Sequence, residues 1–265
     1  MGYILSPRNR AVLKSFAQSR GLVAFDFDGT LAPIEEDPFQ VWIAPQTTML
    51  LKRVSALYPC VVISGRARED VRCRLHGTGI PWVVGNHGAD LGKKRDFRHI
   101  VSEWMPVVVP ALAGLEGVWV EDKQLSLAIH YRKSPRKADA RRSILHAARH
   151  LAHVRVVPAR LAVNFIPEDA PHKGIALLEW QTRLGCDAAL FVGDDVTDED
   201  VFSLDGDSKL VGIRVGRKRA SMAKFWLRRQ CEIDELLRVL VRLREHPLSL
   251  KKAPTARSSA LPAPR

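Results

Sequence analysis

The chain has 265 residues, 46% hydrophobic and 26% charged, an ordinary globular composition with enough length for one large domain or two modest ones. Lys and Arg number 41 against 29 Asp and Glu, a formal net charge of +12 that favours anionic partners. The first twenty residues carry Arg8, Arg10, Lys14 and Arg20 with no apolar run of signal-peptide length, and the longest apolar stretch, Trp104 to Leu115, is broken by Pro106 and Pro110.

A soluble, cytoplasmic protein without a membrane segment is therefore expected. The basic residues are scattered, from Lys93–Arg98 through Arg132–Arg142 to Arg214–Arg219, and no block is interleaved with aromatics. That pattern reads as a solvated basic surface rather than a nucleic-acid groove. Cys60, Cys73, Cys186 and Cys231 are far apart and form no C-x-x-C pair, so reduced thiols are expected and a zinc site is not.

Along the chain, Leu22 to Phe25 is a short continuous apolar run, as expected of a strand buried on both faces. It ends in Asp26-Phe27-Asp28-Gly29-Thr30. A helix is predicted from Pro45 to Leu57, with Pro45 suited to a first helical position. Cys60 to Ile63 reads as a second buried strand ending in Ser64-Gly65-Arg66, followed by a charged helix from Arg68 to Leu75. Trp82 to Val84 is a third strand, ending in Gly85-Asn86-His87-Gly88. This rhythm predicts an α/β fold with a doubly wound parallel sheet, whose ligand sits at the carboxyl ends of the strands.

The pattern then changes. Trp119-Val120, Ser126–Tyr131, Val154–Val157 and Leu161–Ile166 read as strands with an exposed face, around a basic amphipathic helix from Pro135 to Ala152. A small α+β unit inserted between about 93 and 168 is expected. The core rhythm returns with a helix from Lys173 to Arg183, a buried strand Ala189–Val192 ending in Gly193-Asp194-Asp195, a strand Leu210–Val215 and a closing helix Glu232–Arg244. The core thus takes residues 1–92 and 169–251, and 252–265, rich in Pro, Ala and Ser, is expected to be disordered.

The polar clusters fall at strand ends or helix starts. Asp26 and Asp28 can reach one small volume if the strand end is distorted, and two carboxylates so placed need a cation such as Mg2+ between them. One can act as nucleophile and the other as general acid and base. Ser64, with the free N–H groups of the turn at Gly65, can hold phosphate oxygens. Lys173 at a helix N-terminus adds a full positive charge where anions are already favoured. In the acidic run Asp194 to Asp200, Thr197, Asp198 and Glu199 read as helix-capping and dipole-favoured residues, whereas Asp194 ends a strand on the same sheet edge as Asp26 and is a candidate metal ligand. Nucleophile, phosphate cradle, cation and metal ligand together suit in-line phosphoryl transfer.

These motifs resemble those of the haloacid-dehalogenase (HAD) superfamily of phosphatases: Asp26-Phe27-Asp28-Gly29-Thr30-Leu31, Ser64, Lys173 and Gly193-Asp194-Asp195. The resemblance implies a HAD-like core with an inserted cap, Asp26 as nucleophile, Asp28 as general acid/base, Lys173 as catalytic cation and phosphate binding by Ser64, Gly65 and Arg66. It also implies Mg2+ bound by Asp26, the carbonyl of Asp28 and Asp194. Val62–Arg66, Gly85–Ala89, Val120–Lys123, Ser126–Arg132 and Gly193–Asp200 narrow it to the trehalose-6-phosphate phosphatase family. That family implies a sugar phosphate, trehalose 6-phosphate, as the small-molecule partner, bound with the help of Glu121, Lys123, Arg132, Asn164 and His87, by a chain expected to act as a monomer. Asn164 stands where the family usually has Glu, and Gln124 where it usually has Gly, so a phosphatase of another sugar phosphate, such as sucrose 6-phosphate, is an open alternative. A basic nucleic-acid-binding protein with a structural acidic loop is a third reading, which leaves the catalytic set unexplained.

Overall fold

The strand Leu22 to Phe25 forms as expected and becomes the axis of the molecule. The computed structural model describes residues 1–91, 96–159, 161–204 and 209–246. The expected tail at 252–265 and the boundary at 93 lie outside the described residues. In chain order the strands are β1 (Gly2–Tyr3), β2 (Gly21–Phe25), β3 (Cys60–Ile63), β4 (Trp82–Val84), β5 (Trp119–Asp122) and β6 (Leu127–His130). They continue with β7 (Val154–Ala159), β8 (Ala162–Pro167), β9 (Ala188–Gly193), β10 (Lys209–Val215) and β11 (Phe225–Leu227). The helices are α1 (Arg10–Gln18), α2 (Pro45–Leu57), α3 (Arg68–Arg74), α4 (Arg98–Leu112), α5 (Lys137–Ala148), α6 (Lys173–Arg183), α7 (Glu199–Phe202) and α8 (Ile233–Glu245).

Seven strands form one parallel sheet in the order β1-β11-β10-β9-β2-β3-β4. Successive side chains of β2 point to opposite faces. Val23 and Phe25 join the core under α1, α2 and α8, with Phe16, Leu51 and Leu237, while Leu22 and Ala24 pack toward Ala176, Leu177, Val201 and Phe202 of α6 and α7. Both faces are covered, so a continuous apolar strand fits where an alternating one would not. From β2 the chain winds through β3 and β4 to one side, and from β9 through β10 and β11 to the other. The β2–β9 boundary is therefore the topological switch point, where the loops at the carboxyl ends part and leave a crevice.

The remaining four strands make a separate antiparallel sheet, β5-β6-β8-β7, backed by α4 and α5. Two expectations need correction here. β6 and β8 are not strands with an exposed face: β8 is buried along its whole length and Leu127, Ala128 and Ile129 of β6 are buried too. Val163 and Phe165 pack among Val101, Trp104, Val108 and Ile144, while Ile166 meets Ala89, Phe97 and Ala170 on the other side. The helices cover one face and the parallel-sheet body covers part of the other. Secondly, the insert holds two helices rather than the one expected, because the apolar stretch containing Pro106 and Pro110 lies mostly within the helix α4. Both prolines lie on its exposed side, and Val101, Trp104, Val108 and Leu112 are buried at helical spacing, so packing outweighs the two lost backbone hydrogen bonds. The helix expected from Pro135 to Ala152 is shorter, Lys137–Ala148. Among the described residues no helix is long and apolar enough to cross a membrane.

Phe165→Ala tests the packing of the second sheet. Phe165 is fully buried, so the substitution is expected to cost about 3–5 kcal/mol in urea unfolding. A loss below about 1 kcal/mol would mean that this face is not packed as described.

Candidate active site

Asp26 leaves the end of β2 with its N–H donating to Val192 O on β9 at 2.8 Å, which fixes the first carboxylate at the switch point. The next residues turn back at once: Leu31 and Ala32 N–H both reach Phe27 O. Gly29 sits in that turn at φ +73°, and a Cβ there would lie 2.3 Å from the Asp194 carboxylate. Only glycine lets the turn and the end of β9 approach so closely.

Lys173 opens α6 and is buried, 2% exposed. Its Nζ lies 2.8 Å from Asp26 Oδ1 and 2.8 Å from Asp198 Oδ1. Asp194, at the end of β9, completes a group of three carboxylates, Asp26, Asp194 and Asp198, whose oxygens lie within 4.8 Å of one another. One ammonium among three carboxylates leaves surplus negative charge in a buried place. Burial first, and then the neighbouring aspartates, push Asp26 well above the usual carboxylate range and Asp194 up to about 7. Burial works against the charge on Lys173, but Asp198 and Asp26 outweigh it and hold the ammonium charged. A hard cation with oxygen ligands fits this surplus, and Mg2+ takes few protein carboxylates. Arg214 steadies the loop from behind, donating to Asp194 O, to Asp195 O at 3.0 Å and to Glu199 at 2.9 Å.

The expectation for Asp198 is therefore corrected. It stands at the N-cap position of α7, but its side chain does not cap that helix; it accepts from Lys173 and from Asp195 N–H at 2.8 Å. The competing lysine lies 25 positions earlier in the chain, so the local acidic run could not announce it.

The other expected residues gather around one cavity of about 440 Å3. Asp26, Asp28, Gly65, Arg66, His87 and Lys173 line it from the parallel-sheet body, and Glu121, Lys123, Arg132 and Asn164 line it from the antiparallel sheet. Ser64 is fully buried and is not among the lining residues; its Oγ accepts from Arg66 N–H at 3.2 Å and its carbonyl from His87 N–H. Arg66 holds Asp28 in a two-point pair at 2.7 and 2.8 Å and also meets Asp70 at 2.9 Å. His87, at φ +57°, packs its ring on Gly65, and its Nδ1 has no partner among the described residues. Burial and the nearby Lys173, Lys123 and Arg155 keep that imidazole neutral.

Two bonds cross from the antiparallel sheet to these turns: Lys123 Nζ donates to Gly65 O at 3.2 Å, and Ser126 Oγ to Asn86 Oδ1 at 2.8 Å. Glu121 lies 2.8 Å from His130 Nε2 and 3.9 Å from Lys123 Nζ. His130 also lines the cavity and was not singled out by the sequence, although it belongs to the quoted segment Ser126–Arg132.

A parallel sheet with paired aspartates after one central strand, Asp194 after its neighbour, a buried lysine between them and a second sheet over the opening is an arrangement suited to a phosphatase. The profile of the trehalose-phosphatase family matches residues 24–225, and the chain belongs to that family. It is 32% identical over 262 residues to the trehalose-phosphate phosphatase of Mycobacterium tuberculosis H37Rv, an alignment that covers 89% of this chain and 67% of that one. In fold it is similar to the C-terminal domain of trehalose-6-phosphate phosphatase from Candida albicans, with TM-score 0.73, 20% identity and coverage of 88% and 96%. It is likewise similar to a HAD-superfamily phosphatase of Bacteroides thetaiotaomicron, with TM-score 0.58, 13% identity and coverage of 84% and 94%.

The raised carboxyls make a prediction about pH. A carboxyl whose folded pKa exceeds its unfolded value binds more protons when folded, so its contribution to stability falls as pH rises between about 4 and 7. In EDTA, Asp194 should lower Tm over that range, and the raised Asp26 carboxyl acts in the same direction as pH rises. The Tm increment given by Mg2+ should be larger at pH 8 than at pH 5.5, as scanning fluorimetry can measure. An increment independent of pH would count against cation binding by these carboxylates.

Proposed function

We propose that the chain hydrolyses trehalose 6-phosphate to trehalose and phosphate through an aspartyl phosphate on Asp26. One observation carries this reading: a single cavity has the Asp26–Lys173–Asp194 group on one wall and Glu121, Lys123, Arg132 and Asn164 on the other. The first wall suits a phosphoryl group and the second suits hydroxyls. We divide the chain into a core, 1–92 and 169–251, and a cap, 93–168, that supplies the second wall.

Asp26 Oδ attacks phosphorus, and the bond from phosphorus to the sugar oxygen breaks as Asp28 protonates that oxygen. Asp28 then takes a proton from the water that attacks the acyl phosphate, and Asp26 is released. Lys173 holds Asp26 in place and offsets the charge that builds on the phosphoryl oxygens. Asp28 is paired with Arg66, so this pair opens when phosphate arrives, freeing the carboxyl for the leaving oxygen and the guanidinium for phosphate. Asp26, Asp194 and the Asp28 carbonyl would hold Mg2+, which when bound neutralises phosphoryl charge. Ser64 supports the turn that carries Gly65 and Arg66. A cytoplasmic location accords with the four free cysteines. Asn164, 4% exposed and without charge, favours a second reading in which the sugar is another one, such as that of sucrose 6-phosphate.

Asp26→Asn should abolish phosphate release, and Asp28→Asn should slow it by about 100-fold or more. Asp194→Ala should raise the Mg2+ requirement or stop turnover, whereas Asp200→Ala, outside the carboxylate group, should do little. Phosphate release across a panel of sugar phosphates measures both points. A folded Asp26→Asn protein with near-normal turnover would sink the mechanism, and a preference for another sugar would leave the mechanism and replace the substrate.

A further inference from the structure

The cap sheet does more than carry Glu121 and Lys123. Strand register sets two cross-strand rows on its cavity face. In one, Glu121 is opposite Ala128, and Ala128 is opposite Asn164; in the other, Trp119 is opposite His130, and His130 is opposite Ala162. Directly opposed side chains touch, and diagonal ones are within reach when long. The Trp119 and His130 rings accordingly stack at 3.9 Å with 10° between planes, and His130 Nε2 reaches diagonally to Glu121 Oε2 at 2.8 Å. Burial alone would raise the Glu121 carboxyl, but His130 and then Lys123 outweigh it and keep Glu121 ionised.

The outer neighbour of Trp119 is not in the cap. The Phe39 ring lies 6.4 Å away at 22°, on a loop between β2 and α2. That loop is itself held: Asp37 accepts from Phe39 N–H at 3.0 Å, and Arg74 donates to the carbonyls of Phe39 and Val41. From the cap side, Arg132 donates to Glu35 O at 2.7 Å and to Glu36 O. Phe39 is 62% exposed, and its ring meets the cap at Trp119. A largely exposed aromatic at the junction is accounted for if it serves that junction.

We propose that Trp119 and His130 are positioning residues that hold Glu121 in its sugar-binding geometry, and that Phe39 is the core's docking surface for this stack. The inference rests on the reading that the cap recognises the sugar of trehalose 6-phosphate. A carboxylate on a flexible stem loses rotamer freedom when it binds a hydroxyl, and a partner already fixed removes that loss beforehand. His130 engages Oε2 and leaves Oε1 for the sugar. Trp119 fixes the imidazole plane, and Phe39 fixes Trp119 relative to the core, where the phosphate is held. Sugar and phosphate ends are thereby set at one distance.

The test uses the whole chain with Mg2+, trehalose 6-phosphate and p-nitrophenyl phosphate. His130→Ala and Trp119→Ala should lower kcat/KM for the sugar phosphate about tenfold, mainly through KM, and change aryl phosphate turnover less than about twofold. His130→Gln, which keeps an N–H donor, and Trp119→Phe, which keeps a ring, should recover most of the loss. Phe39→Ala should act in the same direction, with Tm little changed. Combined with Glu121→Ala, His130→Ala should add nothing further, since both remove the same contact. Additive losses, or parallel losses on both substrates, would overturn the proposal. So would a selective loss in Glu121→Ala that His130→Ala does not share, which would leave the sugar-recognition reading intact. If Glu121→Ala has no selective effect, that reading fails and this inference with it.

Discussion

A lysine ammonium held between two buried carboxylates is the constraint on which the rest of this structure depends. Lys173 is as buried as the apolar core, and a charge so placed is tolerated only when it is paired and hydrogen-bonded. Asp26 meets that need from the end of β2 and Asp198 from the start of α7. The pairing therefore fixes the end of β2, the start of α6 and the start of α7 relative to one another. It also leaves the site one cation short, because Asp194 brings negative charge that Lys173 does not offset. The same imbalance that costs stability suits the group to a cation, as proposed.

Most other features follow from where that group sits. The parallel order places β2 beside β9, so both carboxylate-bearing loops open at the same edge. The second sheet then has to stand over that edge without sharing the core. It does so through polar links to turn atoms, Lys123 to Gly65 O and Ser126 to Asn86, and a small apolar contact of Ile166 with Ala89, while most of its apolar residues form a separate cluster under α4 and α5. The two bodies are thus joined at the place where a substrate spanning them would bind.

The parallel sheet was readable from the sequence because each strand is a short apolar run that ends in a polar cluster. Asp26, Lys173 and Asp194 stood out for the same reason, being strand-end or helix-start residues with no local task. Asp198 did not, because a nearby helix start offered a sufficient explanation and its true partner is distant. His130 was hidden in a quoted segment, since its role depends on register with Trp119, and pairing register cannot be read along a single strand. α4 was obscured by two prolines whose exposed placement only packing reveals. β1 and β11 have two and three residues and carry no periodicity to detect.

The alternation along the cap strands has an evolutionary corollary. Positions 119, 121, 128, 130, 162 and 164 form one face, and Leu127, Ile129, Val163 and Phe165 interleave with them on the other, packed under the helices. Every second residue can thus change without disturbing the scaffold that its neighbours build. If that face reads the sugar, as proposed, substitutions on one side of a single sheet would retune which sugar is accepted and leave phosphoryl chemistry untouched.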